Sequence, residues 1–109
     1  MAATHKIPFV HASSLAIDVA TMRLVPEAVT IADETRVVLD RVAARLSRHG
    51  LTLGDVVKAT CYLSDEAHLD EFIDAYDTAF ASAPLPVTTM VVLGLAGDCR
   101  VQIEVVAAR

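Results

Sequence analysis

The sequence is poor in the features that mark the easily recognised functional classes. It has no tryptophan, two tyrosines and three phenylalanines, and its 9 Lys+Arg are outnumbered by 14 Asp+Glu, for a formal net charge of −5. Such a chain lacks the electrostatic footprint for phosphate backbones, and it lacks the aromatic–basic surface on which single-stranded bases stack. Nucleic acid and anionic lipid are therefore set aside as partners. Only two cysteines occur, Cys61 and Cys99, far apart and in no CxxC or zinc spacing. They read as reduced thiols acting as small strand hydrophobes. The histidines His5, His11, His49 and His68 share no spacing that suggests a metal site. No Gly-rich phosphate loop, nucleophile elbow or Cys/His dyad is legible, so no metal and no cofactor is expected. Nowhere do 18 apolar residues run together, and the opening MAATHKIP has neither an apolar h-region nor a basic n-region. The expectation is a cytoplasmic protein without membrane contact.

What is present is apolar and evenly spread. The 109 residues suffice for one domain, spanning 1–109, and hydrophobic residues make up 54% of them. A chain of this size buries roughly 60–70% of its unfolded surface, so so apolar a composition suggests surface that a partner covers. No repeat, low-complexity tract or linker interrupts it.

Ile7 to Ala12 reads as a short strand, followed by a polar, irregular stretch over Ser13–Arg23. Glu27 to about His49 reads as the main helix, because Ala32, Thr35, Leu39, Val42 and Leu46 recur at steps of three and four. Gly50 is placed to end it in a left-handed conformation. Val56 to Leu63 is short and rich in β-branched and aromatic residues, hence a strand. A second helix runs from about Glu66 to Ala81 after the N-cap residues Ser64 and Asp65, burying Leu69, Phe72, Ile73, Tyr76 and Phe80. Pro84 and Pro86 stop it. Two strands finish the chain, Val87 to Leu95 and Cys99 to about Ala107. Gly94, Gly97 and Asp98 between them suit a hairpin.

The order is thus β, α, β, α, β, β: an α+β domain whose two helices cover one face of a mixed sheet. Met90, Val91, Val92 and Leu93 are apolar on both sides, so the second face needs a cover. Another copy of the chain is the simplest one.

Three stretches resemble the RidA (YjgF) family of imine deaminases. Leu51–Asp65, LTLGDVVKATCYLSD, is similar to the family's segment after the first helix. Asp70–Phe80, DEFIDAYDTAF, is similar to its second helix. Val87–Ala107, with Thr88, Thr89 and the run VQIEVVA, is similar to its closing strands. The resemblance implies a sheet on two helices of the kind also seen in bacterial chorismate mutase. It also implies a homotrimer with ligand clefts between subunits.

Hydrolysing a 2-imino acid needs a cation for the substrate carboxylate and a group that activates water. The resemblance places an arginine directly before the Ser/Thr pair and a glutamate at the first acidic position of a VEIE-like run. Those positions are Val87 and Gln102 here, and Glu104 matches the second acid. Valine cannot bind a carboxylate, and a glutamine amide holds water without exchanging a proton. Ile73 stands where the family has an asparagine, Ala12 where it has a serine, and Thr89 at a cysteine or threonine position. The implied ligand cleft therefore contains Val87, Thr89, Gln102, Ile73 and Ala12, and suits a small neutral or hydrophobic molecule.

Arg100 and Gln102 are the catalytic candidates. On a shared strand face Arg100 would replace the missing cation from a new direction; a strand-end arginine reaching solvent or pairing with a neighbour is the competing account. Thr88 and Thr89 are either ligand donors or ordinary strand residues. His11 is either an acid–base group near the cleft or a strand histidine with a backbone partner. Three functions remain open: a diverged trimer that binds or transforms a small metabolite, an enzyme that keeps imine hydrolysis with rearranged residues, and a trimer without chemistry.

Overall fold

The computed structural model describes residues 9–80 and 87–108. The chain order is β1 (Phe9–Leu15), β2 (Ile17–Asp18), β3 (Arg23–Leu24), α1 (Ile31–Ser47), β4 (Val56–Leu63), α2 (Leu69–Ala79), β5 (Val87–Val91) and β6 (Val101–Ala108). Both helices and the strand over 56–63 fall where the sequence pattern puts them; β5 starts at Val87 as expected but ends at Val91, short of the expected Leu95. The expected strand start at Ile7, the helix end at Ala81 and the stops Pro84 and Pro86 lie outside the described residues.

Thr30 sets where α1 begins. Its hydroxyl accepts from Asp33 N–H at 3.0 Å while the Asp33 carboxylate accepts from Thr30 N–H at 3.2 Å, a reciprocal cap that starts the helix four residues later than Glu27. At the other end Gly50 takes φ 72°, and Leu51 N–H returns to the Leu46 carbonyl at 3.1 Å. That left-handed stop is the one its position suggests. Thr35, Leu39, Val42 and Leu46 are buried, joined by Ile31, Val38 and Glu34. On α2, Phe72, Ala75 and Tyr76 face inward. Ile73, expected in the core, is 40% exposed, because its step of one from Phe72 rotates it off the buried stripe.

The main sheet has the order β1-β6-β4-β5. β6 is antiparallel to both β1 and β4, and β5 is parallel to β4. This corrects the expected hairpin, since β5 and β6 lie on opposite sides of β4. The segment between them crosses the end of β4, where Val92 N–H bonds the Leu63 carbonyl at 2.9 Å and Ser64 N–H bonds the Arg100 carbonyl at 3.0 Å. Glycines and an aspartate make a connection turn, but they do not say which strand it turns towards. The stretch expected to be irregular holds the small β2–β3 ribbon, Ile17 opposite Leu24.

Two side chains lock the layers. Glu34, fully buried in α1, accepts from Arg100 N–H (2.7 Å), Val101 N–H (2.9 Å) and Arg100 Nε (2.7 Å). Glu71 on α2 accepts from Ala32 N–H at 2.9 Å, joining the first turn of α1 to its partner helix. The core between helices and sheet is built from Val38, Leu46, Cys61, Leu63, Val101 and Ile103. No helix among the described residues is long and apolar enough to cross a membrane.

Candidate functional site

Side chains alternate along a strand, so the register decides which residues share a face. Val101, Ile103, Val105 and Ala107 of β6 are buried under the helices, and their partners across β4 include Ala59, Cys61 and Leu63. Gln102, Glu104 and Val106 point to the other face, bare of helices among the described residues. Directly beside them stand Tyr62, Thr60 and Lys58 of β4, and Leu15, Ser13 and His11 of β1. This bare face is amphipathic rather than apolar, which corrects the expectation drawn from Met90 to Leu93. Its central strands carry Lys, Thr, Tyr, Gln and Glu.

Neighbouring polar groups hold one another there. Tyr62 Oη donates to Glu104 Oε1 at 2.7 Å, and Gln102 Nε2 donates to Ser13 Oγ at 3.3 Å. The hydrogen bond to Glu104 raises the Tyr62 pKa, with desolvation a lesser cause, so the phenol keeps its proton and fixes the carboxylate. Beside this pair runs a groove of about 370 Å³, lined by His11, Ser13, Lys58, Thr60, Glu104 and Val106. Among the described residues no group of three or more His, Cys, Asp or Glu is placed to hold a metal ion.

The structure divides the candidate residues between two places. Val87 and Thr89 pair with Ala59 and Cys61, which puts them on the helix-bearing side of the edge strand β5. Val87 is 42% exposed there. Thr88 and Met90 share the bare face with Gln102. Ala12 pairs with Val105 and belongs to the core, although it borders the groove. Ile73 lies on the outer surface of α2. Within one chain, then, Val87 and Gln102 stand on opposite faces with β4 between them.

Arg100 does not share a direction with Gln102, which corrects the shared strand face assumed from alternation. Its guanidinium bonds Glu34, and its Nη2 donates to the carbonyls of Ala28 (3.0 Å) and Val29 (3.2 Å). Arg100 precedes β6, where strand alternation does not yet hold, and the buried carboxylate of Glu34 needs a cation. Arg100 thus pairs with a neighbour, as the competing account has it. Reading the sequence for functional residues passed over Glu34, Lys58 and Tyr62. The alternation of Lys58, Thr60 and Tyr62 with Ala59, Cys61 and Leu63 was the available signal for the last two; nothing local marked Glu34 as buried.

Residues 2–109 match the family described as endoribonuclease L-PSP. The chain belongs to the Rid/YjgF family. A RutC family protein of Pyrococcus horikoshii is 32% identical over 77 residues, which is 71% of this chain and 61% of that protein. The match thus spans less than two thirds of the relative's length. Among solved structures, the Yersinia pestis protein YyfA of the conserved Rid family is 26% identical with a TM-score of 0.83, covering 96% of this chain and 83% of that one. A Mycobacterium tuberculosis member of the YjgF/YER057c/UK114 family is 27% identical with a TM-score of 0.76, covering 94% and 80%. Two helices on one side of a mixed sheet are therefore the Rid fold in this chain as well.

Proposed function

We propose that this Rid-family chain works as a homotrimer whose intersubunit clefts bind a small, neutral or weakly polar metabolite. One observation carries the reading. Val87 and Gln102, at the positions where the resemblance puts arginine and glutamate, cannot meet within one chain. They face opposite ways and are separated by β4, a lateral distance of roughly 9–10 Å for two strand spacings. A cleft containing both forms when the β5 edge of one copy lies against the bare face of the next. Val87, Thr89, Val91 and Leu93 then supply an apolar wall, and Gln102, Ser13, Thr60 and the Tyr62–Glu104 pair supply the polar one. Exposed β5 residues (Val87 42%, Met90 42%, Val91 54%) are the apolar surface such a contact covers.

The wall opposite Gln102 offers an aliphatic side chain where an imino-acid carboxylate would need a guanidinium. A ligand without a carboxylate at that end fits the cleft better, because an unpaired anion there would cost several kcal/mol. Arg100 lends no support to retained imine hydrolysis, since its Nε and Nη2 hold it against Glu34, Ala28 and Val29, turned away from Gln102.

Sedimentation equilibrium checks the assembly: the species should have three times the 11.6 kDa chain mass. Thermal-shift screening checks the ligand class. A library split into neutral amides, lactams and amino acids should raise the melting temperature among the uncharged members, as a ligand of the folded state must. A monodisperse monomer, or stabilisation confined to amino-acid anions, would overturn the proposal.

A further inference from the structure

The outer edge of α1 carries a second candidate site that the intersubunit cleft does not use. Arg41, Arg45 and Arg48 recur at steps of four and three, so their guanidiniums project from one stripe. They line a groove of about 540 Å³ whose other wall comes from Ile17, Val19 and Val25. The ribbon β2–β3 supplies the first of these.

Two of the arginines are held in place through one nitrogen each. Arg41 Nη1 donates to the carbonyls of Leu15 (2.8 Å) and Ile17 (2.7 Å), and Arg45 Nη1 donates to that of Ser13 (2.6 Å). Each guanidinium has further N–H donors beyond these. Among the described residues the salt bridges of arginine are Arg23–Asp98, Arg36–Asp33 and Arg100–Glu34. None involves Arg41, Arg45 or Arg48. Asp18 and Glu27 also line the groove, but Asp18 Oδ1 is engaged by Ala20 N–H at 2.8 Å. In a chain of net charge −5, three cations that make no ion pair among the described residues, and that outnumber the two acids of their groove, form a local reversal of sign.

We infer that this groove binds a small oxyanion, a phosphate group above all. The arginine forks would take its oxygens, and Val19, Val25 and Pro26 would face whatever the group is attached to. A planar fork matches phosphate or carboxylate oxygens in pairs, which lysine does not. Asp18 and Glu27 set the limit. They oppose a polyanion, so a monophosphate fits and a nucleic-acid backbone does not.

The probe is inorganic phosphate, read by the Nε–H resonances of the arginines in the full-length protein. Chloride at equal ionic strength controls for screening, and acetate separates carboxylate from phosphate recognition. Phosphate should shift the Arg45 and Arg48 signals saturably, with acetate weaker and chloride flat. Arg48→Gln, which leaves the bonds that hold Arg41 and Arg45 intact, should weaken the phosphate affinity roughly tenfold, or about 1.4 kcal/mol. Arg36→Gln, an equal change of charge in a different groove, should leave it unchanged. Equal shifts with chloride, or an affinity indifferent to Arg48→Gln, would overturn the inference. Saturation by acetate as tight as by phosphate would overturn the assignment to phosphate.

Discussion

Glu34 is the side chain on which the join between α1 and β6 rests. It is fully buried, and three donors converge on it from Arg100 and Val101. Removing one partner of such a pair leaves the other's charge uncompensated, so Glu34→Ala should destabilise the fold by about 3–5 kcal/mol. Urea unfolding would show this as a lower midpoint at unchanged slope. Cys61 gives a second residue-scale expectation. Burial pushes its pKa from 9.0 up to about 12, so the folded chain holds a proton that the unfolded chain releases. Its contribution to stability is complete below pH 9 and is lost as pH rises from 9 towards 12, on the order of 1 kcal/mol per pH unit. In the native protein at pH 8 iodoacetamide should leave Cys61 unmodified, and denaturant should expose it; native labelling at the rate of a free thiol would contradict the burial. A third test concerns the cleft. The double variant Val87→Arg with Gln102→Glu restores the charges that the Rid resemblance implies. It should gain measurable hydrolysis of freshly generated 2-aminoacrylate. An inert, well-folded trimer would show that these two positions do not line one cleft.

At the scale of elements, the loop Ala96–Asp98 fixes the β2–β3 ribbon from above. Gly97 has φ 59°, and a Cβ built on it would lie 2.5 Å from the Met22 carbonyl oxygen and 2.5 Å from Ile17 Cδ1. Backbone cannot yield as a flexible side chain can, so Gly97→Ala should cost more than about 1 kcal/mol in urea unfolding. It should also disturb the arginine groove, one wall of which is Ile17. Unchanged stability would mean that the loop and ribbon separate freely. The same elements show where strand patterning misled. A turn rich in glycine and aspartate joins β5 to β6, yet β4 lies between them. Sheet order depends on which strand's apolar face completes the core. Here β6 and β4 take the two central places, and both carry buried stripes: Val101, Ile103, Val105 and Ala107 on β6, Val56, Ala59, Cys61 and Leu63 on β4.

For the whole molecule, the proposed cleft needs two chains, because Val87 and Gln102 stand on opposite faces of one. A chain with Val87→Ser keeps an intact bare face, and a chain with Gln102→Ala keeps an intact β5 edge. If binding needs one of each, co-refolding two such defective variants should recover ligand binding in about a quarter of the clefts, by random mixing around a closed ring. A site complete within one chain would show no recovery, because neither parent holds both residues. Calorimetric stoichiometry of the mixed assembly distinguishes the two results.

The sequence by itself determined the α+β class, both helices and the strand over Val56–Leu63. Each rests on a local pattern: apolar spacing of three and four, Ser, Asp and Gly at helix ends, β-branched runs. It also carried the Rid resemblance, along with the identities of Val87 and Gln102 as departures from it. What only the tertiary structure decided is which residues look at one another. Arg100 turned to a buried carboxylate 66 positions away in sequence, Val87 and Gln102 fell on opposite faces, and Lys58, Tyr62 and Glu104 gathered on one. Spacing along a chain sets the local repeat; register and sheet order, which come from long-range packing, choose the face.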